Sequence, residues 1–402
     1  MKKQLIPLGA FAASLVFVSG LSAETFTFKF ARGDKYRFVT VVHEKVLMND
    51  VFHHGADYLT KITYEVTGVK RGAGAVSTVN QISVRRSDDP WGFSLEEEYP
   101  STFVIGPRGQ YAIDGSLIYP LTRGIPSFPE GDLKPGSVWT APGEEAHDLR
   151  AAYGIREPYR IPVDVLYTFT GMKTLDGRKL AQIDIAYSYM TKVRGVVAPG
   201  GLYPIMISGT CHKTLLWDLA AGRPASYRED FDVFYSLSSG AVVEFAGEAT
   251  GSVIVSRPLD NVETAKAINR EIDKNRLEGV RAESVEHGVK ITLENVQFQP
   301  DSDAITEGEA GKIHTIAMIL KKYPGRDIKL VGHTAAFGSP ESCLDLSVRR
   351  AKAVGDALLR LGARRAEEMT VQGRGLTEPI APNDTEAGRI KNRRVEIVIL
   401  EN

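Results

Sequence analysis

Two adjacent histidines, His53 and His54, are a natural starting point for a metal site, since neutral imidazoles bind transition metals. No third ligand follows at a recognisable spacing, so the pair is expected in a solvated loop. Gly373-Arg374-Gly375 has the glycines of a phosphate-cradling turn but not the strand–glycine–helix context such a turn needs. No serine or histidine falls in a nucleophile motif, and Glu96-Glu97-Glu98 reads as an exposed strand end. Cys211 and Cys343 are the two cysteines, and they lie in different segments. Two buried, unpaired thiols are expected rather than a disulfide. These residues compose no reaction. The chain is expected to be no enzyme and to use no cofactor or metal.

Bulk properties set the frame. A chain of 402 residues exceeds one ordinary core, so two or three domains are expected. Hydrophobic residues make up 43% and charged residues 25%, the balance of a globular protein. A formal net charge of −1 gives no global field to attract nucleic acid, which is not expected as a partner. At the start, Lys2 and Lys3 precede the apolar run 5–18, and Ser19-Gly20-Leu21-Ser22-Ala23 is a small-residue exit. That is the order of a secretory signal peptide over residues 1–23, cut after Ser22 or after Ala23. The competing reading is an uncleaved anchor, for which the apolar run is short. No cysteine stands near the exit, so an N-terminal lipid of the bacterial lipoprotein kind is not expected.

From Glu24 the texture is β. Phe26, Phe28 and Phe30 alternate with Thr25, Thr27 and Lys29, the period of a half-buried strand. Strand-like runs follow at 36–43, 58–69, 75–84, 163–172, 181–187 and 205–217, separated by turn signals such as Arg32-Gly33-Asp34 and Leu175-Asp176-Gly177. The region also looks duplicated. Residues 64–70 parallel 167–173, and Gly33-Asp34-Lys35-Tyr36 faces Gly136-Ser137-Val138-Trp139 at the same residue offset. Two half-sheets, 24–135 and 136–257, are therefore expected, packed face to face as a sandwich or forming a curved sheet. Pro-containing stretches such as Tyr119-Pro120 and Pro126-Ser127-Phe128-Pro129 argue against an outer-membrane barrel.

After Arg257-Pro258 the pattern changes. Asp260 or Asn261 can cap a helix with Ala265, Ile268 and Ile272 on one face and a stop at Gly279, read as a spacer over 258–288. From Val289 strands and helices alternate. Residues 289–293 form a strand, Ile313, Ile316, Ala317 and Leu320 share one helical face, and 328–331 is a second strand. Ala351, Val354, Leu358 and Leu361 mark a second helix, and 369–371 and 395–399 supply two more strands. The whole reads as an α+β multidomain chain: an antiparallel β region, a linker helix and a β-α-β-α-β-β domain over 289–402.

Six pieces of this last domain resemble a known family. They are Phe298-Gln299-Pro300-Asp301-Ser302, Gly332-His333-Thr334, Leu346-Ser347-Val348-Arg349-Arg350-Ala351, Gly373-Arg374-Gly375, Glu378-Pro379-Ile380-Ala381 and Gly388-Arg389-Ile390-Lys391-Asn392-Arg393-Arg394-Val395. Their order and spacing are similar to those of the OmpA-like peptidoglycan-binding domain. The resemblance implies a ligand, the diaminopimelate-type side chain of the peptidoglycan stem peptide, which carries an ammonium and a carboxylate. It also implies an Asp after Gly-His-Thr for the ammonium and an Arg in the Leu-Ser-x-x-Arg-Ala helix for the carboxylate. An Arg fork suits a carboxylate because two N–H donors meet two oxygens.

By that resemblance Arg350 holds the Arg position, with Thr334, Phe337 and Cys343 around the site and Asn392, Arg393 and Arg389 as supports. The Asp position is Ala335, so the acid is lost. The Gly-His-Thr-Ala loop looks like that of spirochaete-type envelope members of the family. Phe337 is expected to fill part of the space, and Cys343 stands where the family has an Asn. Losing a charged hydrogen bond removes roughly 1.5–3 kcal/mol, about one to two orders of magnitude in affinity. Asp301, Asp303, Glu341 and Asp345 are candidate substitutes for the acid, and Asp345 or Glu341 is the alternative partner for Arg350. The implied protein is periplasmic and associated with the outer membrane or cell wall. Its β region is expected to meet an envelope protein or a lipid. Two alternatives stand beside this: a scaffold whose pocket no longer binds cell wall, and a β region that carries an apolar ligand.

Overall fold

A computed structural model describes residues 23–86, 93–175, 177–195, 200–254, 259–286, 288–294, 296 and 305–401. The signal-like residues 1–22, the motif beginning at Phe298, and the acids Asp301 and Asp303 lie outside the described residues. Ten long strands build the N-terminal sheet among those described. They are β1 (Lys35–Met48), β2 (Val51–Lys70), β3 (Ala73–Arg86), β4 (Ser94–Ile105), β5 (Val138–His147), β6 (Tyr159–Leu175), β7 (Arg178–Lys192), β8 (Pro204–Asp218), β9 (Arg223–Leu237) and β10 (Val242–Ile254). Sequential neighbours pair antiparallel within β1–β4 and within β5–β10. The two meanders meet through β1 and β10, from Met48 opposite Val243 to Arg37 opposite Ile254. They join edge to edge there, and inward residues of both meanders share one core, Val46, Val76 and Phe103 with Val165, Ile183 and Ile207.

Local geometry recurs at the offset seen in the sequence. Gly33 and Gly136 adopt φ of 88° and 89°, a region that favours glycine. Their amides donate to Val66 O and Phe169 O at 2.8 and 2.7 Å. A register shift follows each acceptor, between Val66 and Gly68 and between Phe169 and Gly171. Tyr36 stacks on Tyr64 (4.8 Å, 7°) as Trp139 stacks on Tyr167 (5.1 Å, 4°). The same turn, bulge and cross-strand stack thus occur twice.

Aromatic rings fill the interior of the second meander. Phe28 meets Trp217 edge-on at 4.8 Å, Phe128 meets Trp217 at 4.8 Å, and Phe26 meets Phe169 at 5.1 Å. The alternating phenylalanines therefore plug the curved sheet; Glu24–Thr25 pairs with Asp132–Leu133, and the Phe28 and Lys29 amides donate to Pro107 O and Gly222 O at 2.8 and 3.1 Å. His53 and His54 lie on β2, exposed, with their Nδ1 atoms 2.7 Å apart, so the pair sits on a strand and not in a loop. Cys211 and Cys343 are both free and buried.

The C-terminal domain begins earlier than its sequence pattern suggests. Helix α1 (Asn261–Lys274) is capped by Asp260, whose carboxylate accepts from Glu263 N–H at 2.9 Å. Its buried face, Ala265, Ile268 and Ile272, shares one core with Val289, Ile291, Leu293, Leu330 and Ile397. The expected spacer is thus a packed part of the domain. After it come β11 (Val280–Val285), β12 (Gly288–Glu294), α2 (Glu307–Lys321), β13 (Ile328–His333), α3 (Pro340–Arg360), β14 (Met369–Gly375), α4 (Glu386–Asn392) and β15 (Arg394–Leu400). The strand order is β11-β12-β15-β13-β14, with β13 and β14 parallel and the other neighbours antiparallel.

Phe28 is one of the rings that hold the aromatic plug together, packing against Trp217, Phe128 and Phe30. Phe28→Ala should cost about 3–5 kcal/mol in urea unfolding, the usual range for a buried ring truncated in a core that collapses only partly.

Candidate functional site

The site is built where β13 runs out and α3 begins. Helix α3 presses its Ser347 turn directly onto the sheet: a Cβ at Gly332 would overlap the Ser347 carbonyl oxygen. Ser347 is fully buried; its hydroxyl donates to Leu344 O at 2.6 Å and accepts the Gly375 amide at 3.0 Å. Glycine in Gly-His-Thr and serine in the Leu-Ser pair therefore serve one contact. The chain then leaves β13 with Thr334 N–H donating to Gly375 O at 2.8 Å. Ser339 caps α3 by accepting from Ser342 N–H at 3.2 Å, with Pro340 in the first turn.

Between these fixed ends lies the loop 334–338. Cys343 Sγ reaches back to Phe337 O at 3.1 Å and to Ala335 O at 3.9 Å. The Ala336 amide donates to Asn383 Oδ1 at 3.1 Å. Asn383 in turn accepts from Asn392 Nδ2 at 2.9 Å. Asn392 is fully buried, and its Oδ1 accepts the Ile380 and Ala381 amides at 2.8 and 3.0 Å while its Nδ2 also donates to Ala381 O. Asn392 thus braces the 380–383 turn, and that turn braces the loop. Asn383 has no signal in the sequence beyond its place in Pro382-Asn383-Asp384, an ordinary turn composition.

The expected site residues divide accordingly. Thr334, Ala335, Cys343 and Asn392 are brought together by this network. The Phe337 ring is not: at 89% exposure it stands in solvent, which corrects the expectation that it fills the pocket. Backbone atoms of the loop make the inward bonds, so the ring has no reason to turn in. Arg389 donates to Glu386 at 2.9 Å and to Asn383 O at 3.0 Å, and Arg393 donates to Glu386 at 2.7 Å. Both are committed to the last turn of the fold.

Arg350 lies two helical turns beyond Cys343 on α3, half-buried. Burial holds its guanidinium below the usual range, and the neighbouring charges of Arg393 and Arg349 add to the effect. Asp345 pairs with Arg349 at 2.9 Å. Glu341 is exposed in the first turn of α3. The charges that shift Arg350 are therefore cationic, a setting that suits a carboxylate and disfavours an ammonium.

Below the loop, His333 is buried with its Nε2 3.6 Å from Glu396, and Arg394 donates to the same carboxylate at 2.8 Å. Burial alone would raise Glu396; His333 and Arg394 outweigh it and hold the carboxyl at about 2. A carboxyl depressed in the folded state contributes stability above its unfolded value, lost as pH falls toward the folded one. Stability measured by urea unfolding should fall by roughly 3 kcal/mol between about pH 5 and pH 2 through this group, and Glu396→Gln should flatten that limb. Gly332→Ala should prevent α3 from seating, seen as loss of the cooperative unfolding transition of the C-terminal domain.

Known proteins match this domain. The OmpA family matches residues 297–393. A probable lipoprotein of Escherichia coli K12, YiaD, is 33% identical over 31% of this chain and 58% of its own length. The peptidoglycan-binding protein ArfA of Mycobacterium tuberculosis H37Rv is 36% identical over 27% of this chain and 33% of its own. The periplasmic domain of Helicobacter pylori MotB shares 31% identity over 31% of this chain and 83% of that one, with a TM-score of 0.29. The chain thus spans less than two thirds of the two curated relatives. Its C-terminal part, with the seated α3, the braced loop and the Asn392 turn, is a domain of the OmpA family.

Proposed function

We propose that this chain is a non-enzymatic exported envelope protein whose C-terminal domain associates with peptidoglycan through Arg350. The observation that carries the reading is Arg350's place: half-buried on a helix seated rigidly beside the Gly-His-Thr loop, with cationic neighbours in Arg349 and Arg393. Such a site takes the carboxylate of a stem peptide by a two-pronged guanidinium contact. With Ala335 in place of an acid, nothing in the loop 334–338 pairs the ligand's ammonium, and affinity falls by about one to two orders of magnitude. ArfA is named a peptidoglycan-binding protein, and its likeness supports the ligand class.

Residues 1–23 act as a cleaved signal, and the protein works in the periplasm against the cell wall or outer membrane. The 24–135 and 136–257 stretches are two copies of one β unit, which the doubled turn, bulge and stack support. This β region contacts another envelope component. Its aromatic plug counts against the apolar carrier, since the space a ligand would use is occupied by Phe26, Phe28, Phe128 and Trp217. The scaffold reading, with a domain that keeps its fold and not its ligand, draws support from Ala335.

Sedimentation with purified sacculi decides between the two, using the chain from residue 24 because α1 and β11 share the core of the C-terminal domain. Wild type should sediment weakly, Arg350→Ala should remain in solution, and Ala335→Asp should bind about tenfold or more tightly. Wild type staying in solution while Ala335→Asp sediments would make the scaffold reading the correct one.

A further inference from the structure

The C-terminal domain meets the N-terminal sheet through a buried charge cluster. Arg37 on β1 and Lys61 on β2 converge on one oxygen of Asp327, at 2.7 and 3.0 Å. Side-chain exposures are 6%, 2% and 3%, so all three charges are out of water. The cations belong to the sheet and the acid to the other domain. Asp327 stands just before β13, and its carbonyl accepts the Leu400 amide at 2.9 Å, which ties it to β15. Arg364 holds the same corner from below, donating to the carbonyls of Arg326, Leu320 and Tyr323 at 2.6, 2.9 and 2.8 Å.

A second contact lies along the edge of β14. Val371 stands opposite Ser94 in parallel register, and its amide donates to Phe93 O at 3.3 Å. Beside the charge cluster the two surfaces do not close. A cleft of about 320 Å³ separates Val39, Val41 and Ile254 of the sheet from Arg365, Glu367 and Glu368. Apolar packing is therefore interrupted next to the charges.

We infer that Asp327 is a releasable latch that specifies how the OmpA family domain docks on the face of β1 and β2 carrying Arg37 and Lys61. Docking removes three charges from water, and their attraction offsets that loss only in this geometry. A shifted docking would leave one or more buried charges without compensation, so the cluster selects a single arrangement. Undocking rehydrates all three, so release costs far less than the short distances suggest. The domain consequently has two states, docked and free, and neutralising Asp327 favours the free one.

The amide of Val371 reports the state, because its bond to Phe93 exists only across the interface. Hydrogen exchange on the full chain should show Val371 exchanging about tenfold or more faster in Asp327→Asn, with the α3 core amide of Leu358 unchanged. Unaltered Val371 protection in that variant overturns the latch. Should Asp327→Asn also expose Leu358, Lys61→Glu decides, because it sets a second carboxylate against Asp327 from the sheet side and leaves every residue of the C-terminal domain in place. Faster exchange at Val371 alone then supports the latch. No change at Val371, or equal acceleration at both amides, rejects it.

Discussion

The close approach of α3 to β13 and β14 sets the position of everything else in the C-terminal domain. The Ser347 carbonyl occupies the volume a Cβ at Gly332 would need, and the Ser347 hydroxyl bridges to the Gly375 amide. A helix standing one methyl further out would lose that bridge and leave a buried donor without an acceptor, an expensive change. Cys343 and Arg350 ride on the same helix on either side of Ser347. The seat therefore fixes both the back of the loop and the position of the Arg350 guanidinium.

Most of the motif residues serve this architecture rather than a ligand. Asn392 uses its amide to hold 380–383, Thr385 caps α4 by accepting from Gly388 N–H, and a Cβ at Gly388 would overlap Pro382 O. Arg389 and Arg393 share Glu386. The bonds of this scaffold do not pass through the side chain at position 335. The residues that hold the fold are thus many and are separate from the side chain at position 335.

What the sequence makes legible follows the same division. The helical faces of α2 and α3 are readable because apolar spacing states which side is buried. The face of α1 is readable too, but its destination is not: an amphipathic stripe does not say which sheet it covers, and the pattern predicts a spacer where a core helix stands. The doubled turn in the β region is visible through Gly33 and Gly136, since positive φ leaves a glycine in the sequence. The β1–β10 join leaves no such trace, because a ladder between distant strands depends on register rather than on any one residue type. Asn383 and Asp327 are silent for a like reason, as each gains its partners only when separate segments meet. Phe337 misleads by its size. Backbone bonds, not ring volume, shape that loop.

The charge balance around Arg350 then bears on what the loop's lost acid means. Two acids of the motif region are already committed, Asp345 to Arg349 and Glu386 to Arg389 and Arg393. Both pairs lie largely in solvent, where an ion pair contributes little, so these contacts hold the two acids only loosely. Glu396 lies beneath the loop but is held by His333 and Arg394. Glu341 is exposed at the start of α3, roughly 13 Å along the helix from Arg350, and an ion pair in open solvent contributes little. The charges that bear on Arg350 are those of Arg393 and Arg349, so its surroundings favour an anionic group over a cationic one.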